Sequence, residues 1–106
     1  MVKPVAMSTV LGAMVEDRRY LVTRGRMYWT QIATPTALHG RYRKLVQKSL
    51  QTDSLREAQS RRWPVIGAFK EAWRQAEADP DMTAEEIDRI AGEELERLKR
   101  LEDLAR

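Results

Sequence analysis

The pattern of hydrophobic and polar positions changes near residue 52. Ahead of that point, short runs rich in β-branched and aromatic residues alternate with residues that favour turns. Tyr20–Thr23 and Met27–Ala33 flank a short break that contains Gly25, and this arrangement predicts a hairpin of two antiparallel strands. Pro35 ends the second strand, because proline has no backbone N–H to donate to a neighbouring strand.

A third strand is predicted at Arg43–Leu50, after a connection over residues 34–42 that contains a proline and a glycine. Successive side chains point to opposite faces of a strand. Val46 and Leu50 therefore share one face, and the residues on either side of Val46 point to the other.

After residue 52 the hydrophobic positions recur every three or four residues, which predicts a helix. Thr52–Ser54 supplies side-chain oxygens that accept hydrogen bonds from first-turn N–H groups, and Glu57 places negative charge near the helix N-terminus. We expect Pro64 to kink or split this helix, since proline lacks the N–H that a helix needs. The helix ends at Asp79–Asp81. Its inward stripe consists of Leu55, Ala58, Arg62, Ile66, Phe69, Trp73 and Ala76.

A second helix is predicted to begin at Thr83, because Thr83 and Glu86 have the spacing of a capping box. Its apolar positions follow at near-heptad spacing, and its opposite face is almost entirely charged. The apolar stripe either packs on the first helix or forms an interface with another chain or domain. Its members are Ile87, Ile90, Ala91, Leu95, Leu98, Leu101 and Leu104.

Together these elements predict an α+β fold, with a small three-stranded antiparallel sheet packed on a helix and followed by a second, C-terminal helix. Residues 1–17 are predicted to be a flexible N-terminal arm, residues 18–79 a β-β-β-α domain and residues 80–106 a connector helix. One face of the sheet packs on the first helix, and the other face is left open to solvent or to a ligand.

The chain is basic at its front and acidic at its end. Residues 1–79 hold 14 Lys and Arg against 7 Asp and Glu, whereas residues 80–106 hold 5 against 9. From Arg18 through Thr52 there is no acidic residue. Crowded like charges repel one another, and a polyanionic partner relieves that repulsion. The alternative is a solvated basic face without a partner. The basic residues of this window are Arg18, Arg19, Arg24, Arg26, Arg41, Arg43, Lys44 and Lys48.

The sequence offers little for catalysis. It has no cysteine and a single histidine, His39, and it contains no Gly-rich phosphate loop and no metal-ligand spacing. We therefore expect no enzyme activity, no cofactor, no metal and no small-molecule substrate. No apolar run approaches the roughly 18 residues of a membrane span. The lack of cysteine fits a reducing compartment, so we expect a cytoplasmic protein.

Basic and aromatic residues are interleaved in the acid-free window, which is typical of a surface that binds nucleic acid. Lys and Arg neutralise phosphates, Gln and Thr can read base edges, and a small sheet fits into the major groove of DNA. Either Tyr28 or Trp29 faces inward and belongs to the core, where we also expect Trp63 and Trp73. The predicted DNA contacts are Arg24, Arg26, Thr30, Arg41, Arg43, Lys44, Gln47 and Lys48.

The segment from Tyr20 to Ala58 carries a series of short motifs. They are Tyr20-Leu21, Arg24-Gly25, Tyr28-Trp29, Pro35, Leu38, Arg43, Lys48-Ser49-Leu50-x-Thr52 and Leu55-Arg56-Glu57-Ala58. In these motifs the chain resembles the N-terminal domain of phage-type integrases, which are tyrosine recombinases. The resemblance implies a domain that places a three-stranded sheet in the major groove of arm-type DNA sites, ahead of a core-binding domain and a catalytic domain.

The resemblance therefore implies binding of duplex DNA in recombination without catalysis, because nothing in this chain matches the family's catalytic Arg, His-x-x-Arg and Tyr cluster. It further implies that the chain is a fragment in which residues 80–106 lead towards the core-binding domain. A standalone phage regulator with the same DNA contacts is one alternative. The other is a protein-interaction module that self-associates or docks on a following domain through Ile87, Ile90, Leu95, Leu98 and Leu101.

Overall fold

Three strands, one short 3₁₀ turn and two long helices follow one another along the part of the chain that the structure describes. The computed structural model describes residues 17–105, so the predicted N-terminal arm lies outside the described residues except for Asp17. The elements are β1 (Leu21–Arg24), β2 (Met27–Ala33), the 3₁₀ turn (Thr36–Leu38), β3 (Leu45–Ser49), α1 (Leu55–Ala78) and α2 (Ala84–Leu104). This order confirms the predicted α+β fold.

A tight turn of two residues joins β1 to β2. Arg24 pairs directly with Met27, which leaves Gly25 and Arg26 as the central residues of the turn. Gly25 has a φ of 61°, whereas Arg26 has no positive φ. A positive φ at the first central position alone is the type II′ arrangement, in which glycine is preferred and whose twist matches that of the flanking strands.

The sheet has the order β1-β2-β3, and both pairs of neighbours are antiparallel. Ile32 lies opposite Val46, and both side chains are buried. Because alternate residues of a strand share a face, Thr30 lies on this inner face too, and it is fully buried. The inner face packs on α1. Tyr28 belongs to the same face, so it is Tyr28, not Trp29, that contacts the core.

Helix α1 runs without a break from Leu55 to Ala78 and includes Pro64. Its N-cap is Ser54, whose hydroxyl accepts a hydrogen bond from the Glu57 N–H. The expectation that Pro64 splits the helix is therefore wrong. The residues just after it, Val65 and Ile66, are buried in the core, and we attribute the continuity of the helix to this packing, which outweighs the cost of the missing N–H.

Helix α2 packs against α1 and shares its core. Thr83 caps α2 by accepting a hydrogen bond from the Glu86 N–H, as the sequence predicts. Ile87 and Leu95 are buried in the same core cluster as the sheet and α1. Most of the apolar stripe of α2 is therefore covered within the chain, and the role of residues 80–106 as a connector stays a prediction.

A buried guanidinium ties α1 to the segment that leads into β1. The Arg62 side chain is 4% exposed, and its Nη2 lies 2.9 Å from the Asp17 carboxylate. Arg62 also donates hydrogen bonds to the backbone carbonyls of Asp17 and Arg19. Hydrogen bonds from Arg19 and the ion pair with Arg62 hold the pKa of Asp17 well below its usual range. Arg62 therefore belongs to the inward stripe through hydrogen bonding and not through apolar packing.

Replacement of this buried cation tests its contribution to the fold. We expect Arg62→Met to lower the free energy of unfolding by about 3 kcal/mol, because it removes one partner of a buried ion pair and leaves two carbonyls without their donor. Chemical denaturation followed by circular dichroism measures the loss. Arg74→Met is the matched control, since Arg74 is an exposed arginine on the same helix, and its midpoint should not move. Equal midpoints for the two variants would contradict the structural role of Arg62.

Candidate nucleic-acid interface

The outer face of the sheet carries no acidic side chain, and no described element packs on it. The alternation of side chains along the strands places Trp29 and Gln31 on this face, opposite the inner face of Thr30 and Ile32. We call this surface the open face. It consists of Val22, Arg24, Met27, Trp29, Gln31, Ala33, Leu45, Gln47 and Ser49.

Arg24 crosses the open face from one outer strand to the other. Its guanidinium carbon lies 4.3 Å from the centre of the Trp29 ring in the middle strand. At its far end Arg24 donates a hydrogen bond to Oε1 of Gln47 in β3. Gln47 in turn donates from Nε2 to Oε1 of Gln31 at 2.6 Å. A cation, an aromatic ring and two carboxamides are thus brought together on one surface.

Two further predicted contacts lie at the ends of the sheet. Arg26 is exposed in the turn that joins β1 to β2. Lys44 is exposed just before β3, and its carbonyl accepts a hydrogen bond from the Thr34 N–H. Arg24 thus lies on the open face, Arg26 lies in the turn at one end of the sheet, and Lys44 lies just before β3 at the other end.

Arg43 is exposed, but it already has an anionic partner. Its guanidinium forms an ion pair with Asp88 of α2 at 3.2 Å and lies 4.6 Å from the centre of the Tyr42 ring. The Tyr42 hydroxyl donates a hydrogen bond to the same carboxylate at 2.5 Å. Partial burial acts to raise the pKa of Asp88, but the hydrogen bonds from Arg43 and Tyr42 outweigh it and hold the pKa below its ordinary value. Asp88 therefore stays charged and competes for Arg43.

Two predicted contacts have structural roles instead. Thr30 is fully buried on the inner face, where its hydroxyl donates to the Tyr20 carbonyl at 2.8 Å, so it does not reach a base. Arg41 donates to the carbonyls of Ala76, Asp79 and Met82, where α1 ends. A cation is favourable there because the last carbonyls of a helix lack intrahelical donors.

Lys48 is exposed, but it does not lie on the open face. It pairs with Thr30, so its side chain leaves the sheet on the side of α1. There Lys48 lines a cleft of about 340 Å³ together with Arg61 of α1 and Lys99 of α2. Glu102 and Asp103 line the same cleft, so its charge is mixed. The structure thus separates Lys48 from the other predicted contacts.

Of the two helix tryptophans, only Trp73 is buried; Trp63 is 44% exposed, so its predicted place in the core is wrong. The Trp63 ring lies 4.4 Å from the guanidinium carbon of Arg62 and 6.2 Å from the Tyr20 ring, in an edge-to-face arrangement. Trp63 therefore covers the buried Arg62 guanidinium from the solvent side.

Trp29 and Gln31 belong to the open face but are absent from the predicted DNA contacts. A signal for them exists in the sequence, because an inward-facing Ile32 places the residues one and three positions before it, Gln31 and Trp29, on the opposite face. The missing information was which of Tyr28 and Trp29 faces the core. Once the core contact of Tyr28 is known, Trp29 and Gln31 follow by alternation.

The described part of the chain gives no sign of other site chemistry. Among residues 17–105, no three His, Asp or Glu side chains are grouped in a way that would hold a metal ion. Neither helix in that range combines the length and the apolar character needed to cross a bilayer.

Comparison with protein families places this sheet and helix in a recognised domain. Residues 20–78, more than half of the chain, match the model described as Domain of unknown function (DUF6538). The chain belongs to the DUF6538 family. The matched DUF6538 region begins just before β1 and ends with α1, so it includes the whole open face. Searches of curated proteins and of solved structures found no match.

The role assigned to Arg41 can be tested by stability. We expect Arg41→Met to lower the free energy of unfolding by about 2 to 3 kcal/mol, because three carbonyls at the end of α1 lose a charged donor. Thermal and chemical unfolding measure this loss. Lys44→Met is the control, since Lys44 is exposed and close in sequence, and it should unfold like the wild type. An Arg41→Met protein of wild-type stability would contradict the structural role of Arg41, and Arg41 would again be a candidate DNA contact.

Proposed function

We propose that this DUF6538 chain is a duplex-DNA-binding module, and that it serves as the N-terminal domain of a phage-type integrase without catalysis of its own. The observation that supports this most is the open face, on which Arg24 is held over Trp29 with no acidic side chain beside it. The fold agrees with the resemblance, because a three-stranded antiparallel sheet packed on a helix is the arrangement that the integrase motifs imply. Such a function would place the protein in the cytoplasm.

Electrostatics favours DNA over a neutral partner for this surface. Arg24, Arg26 and Lys44 have no anionic partner in the described chain, so their mutual repulsion is not relieved within the fold. Phosphates spaced along a duplex relieve it and release counterions, which is the main source of affinity in such complexes. Trp29 and the two glutamines add groups that can contact base edges.

Most of the apolar surface that the interaction-module alternative requires on α2 is buried within the chain. Ile87 and Leu95 are buried within the chain, and Ile90 and Leu98 pack partly on the same core. Of the five residues predicted to dock on a partner, only Leu101 is half exposed. The standalone regulator uses the same open face and differs only in its biological context.

Salt dependence tests the proposal directly. Four phosphate contacts, from Arg24, Arg26, Arg43 and Lys44, predict that log K falls against log salt with a slope of about −3 to −4. Fluorescence anisotropy with a labelled duplex measures the slope. The double variant Arg26→Ala and Lys44→Ala should make the slope shallower by about 2. Arg97→Ala, on the exposed side of α2, should leave it unchanged. No binding at low salt, or equal slopes for all three proteins, would contradict the proposal.

The competition between Asp88 and DNA for Arg43 gives a second test. Asp88→Asn keeps an acceptor for the Tyr42 hydroxyl but removes the ion pair, so we expect it to raise duplex affinity by about two- to fivefold. Asp81→Asn removes the same charge from an exposed turn and serves as the control. If Arg43 contacts phosphate, then Arg43→Ala should abolish the gain in the Asp88→Asn background. A gain that persists without Arg43 would show that only net charge matters.

A further inference from the structure

The open face combines two amides in a hydrogen-bonded series whose direction is fixed by Arg24. A guanidinium has five N–H donors and no acceptor, so Gln47 must turn its oxygen towards Arg24. The Gln47 amide N–H₂ therefore faces Gln31, and Gln31 must turn its own oxygen towards Gln47 to accept that hydrogen bond. Both amide oxygens are therefore engaged within the face.

The nitrogen groups that remain available along this series are donors. Arg24 uses one of its N–H groups on Gln47 and keeps the others. The amide N–H₂ of Gln31 ends the series, and among the residues that the structure describes none accepts a hydrogen bond from it. No carboxylate lies on the face. A ligand that fits this surface must present acceptors to it.

Acceptors are provided in duplex DNA by phosphate oxygens and by one base edge in particular. In the major groove guanine presents two adjacent acceptors, N7 and O6. Adenine presents an acceptor beside a donor, thymine an acceptor beside a methyl group, and cytosine a donor. A row of free N–H donors therefore favours guanine over the other three bases, and arginine can pair with both guanine acceptors at once.

The position of Arg24 also lowers the entropic cost of such a contact. Stacking on Trp29 and the bond to Gln47 restrict a long side chain that is otherwise free to rotate. A side chain that is ordered before binding loses less entropy when the ligand arrives.

We propose that the open face reads guanine in the major groove of duplex DNA, with Arg24 as the specificity-determining residue and with Gln47 and Gln31 as positioning residues that hold its guanidinium in place. This inference rests on the proposed function, because it requires the open face to lie against duplex DNA.

The test begins with selection of bound sites from a pool of random duplexes. Guanines of the selected site are then replaced one at a time by 7-deazaguanine, which lacks the N7 acceptor but leaves every phosphate in place. We expect at least one replacement to weaken binding about fivefold or more. In Arg24→Met the same replacement should change affinity by a factor near one, because methionine has no donor for N7. Arg56→Met, an exposed change on α1, should keep the wild-type ratio.

The possible failures are distinguishable. Duplex binding that selects no guanine, or that is indifferent to 7-deazaguanine in the wild type, overturns this inference and leaves the proposed function standing, with phosphate oxygens as the acceptors. An unchanged ratio in Arg24→Met also overturns it, provided that thermal unfolding shows the variant to be folded. Absence of duplex binding at low salt overturns the proposed function and this inference together.

Discussion

The packing of one sheet face on α1 is the interaction on which the rest of the structure depends. Ile32 and Val46 lie opposite each other across β2 and β3 and are almost completely buried, which is worth roughly 1.5 to 3 kcal/mol for each side chain. A slip of one residue would expose them and bury Trp29 and Gln31 instead. The register that stabilises the core is therefore the same register that presents Trp29 and Gln31 to solvent.

Features that depend on neighbours in the sequence were predicted well. Ser54 and Thr83 cap the two helices as their positions indicate, because a cap needs only a side-chain oxygen close to the first free N–H groups. Gly25 forms the turn between β1 and β2 for a similarly local reason. The strands follow from their alternation, and Val46 and Leu50 share the buried face as expected.

Features that depend on distant parts of the chain were not predictable in the same way. Arg41 binds the end of α1, 35 residues further along the chain, and nothing near Arg41 in the sequence indicates that partner. Pro64 stays within a helix because tertiary packing outweighs its local cost. The hydrophobicity of Trp63 predicts a place in the core, although the helical stripe through Arg62 and Ile66 leaves it at the edge. The chemistry of Thr30 suits a base contact, but Thr30 is two residues from Ile32 and shares its buried face.

The three tryptophans allow the most direct test of the central claim, which is that duplex DNA lies on the open face. Trp29 is on that face, Trp63 is exposed on α1 and away from that face, and Trp73 is buried. Titration of the ¹⁵N-labelled chain with a duplex at low salt resolves the three indole N–H signals by NMR. The account predicts that the Trp29 signal shifts on binding, whereas the signals of Trp63 and Trp73 stay in place. A shift of the Trp63 signal with an unmoved Trp29 signal would contradict it.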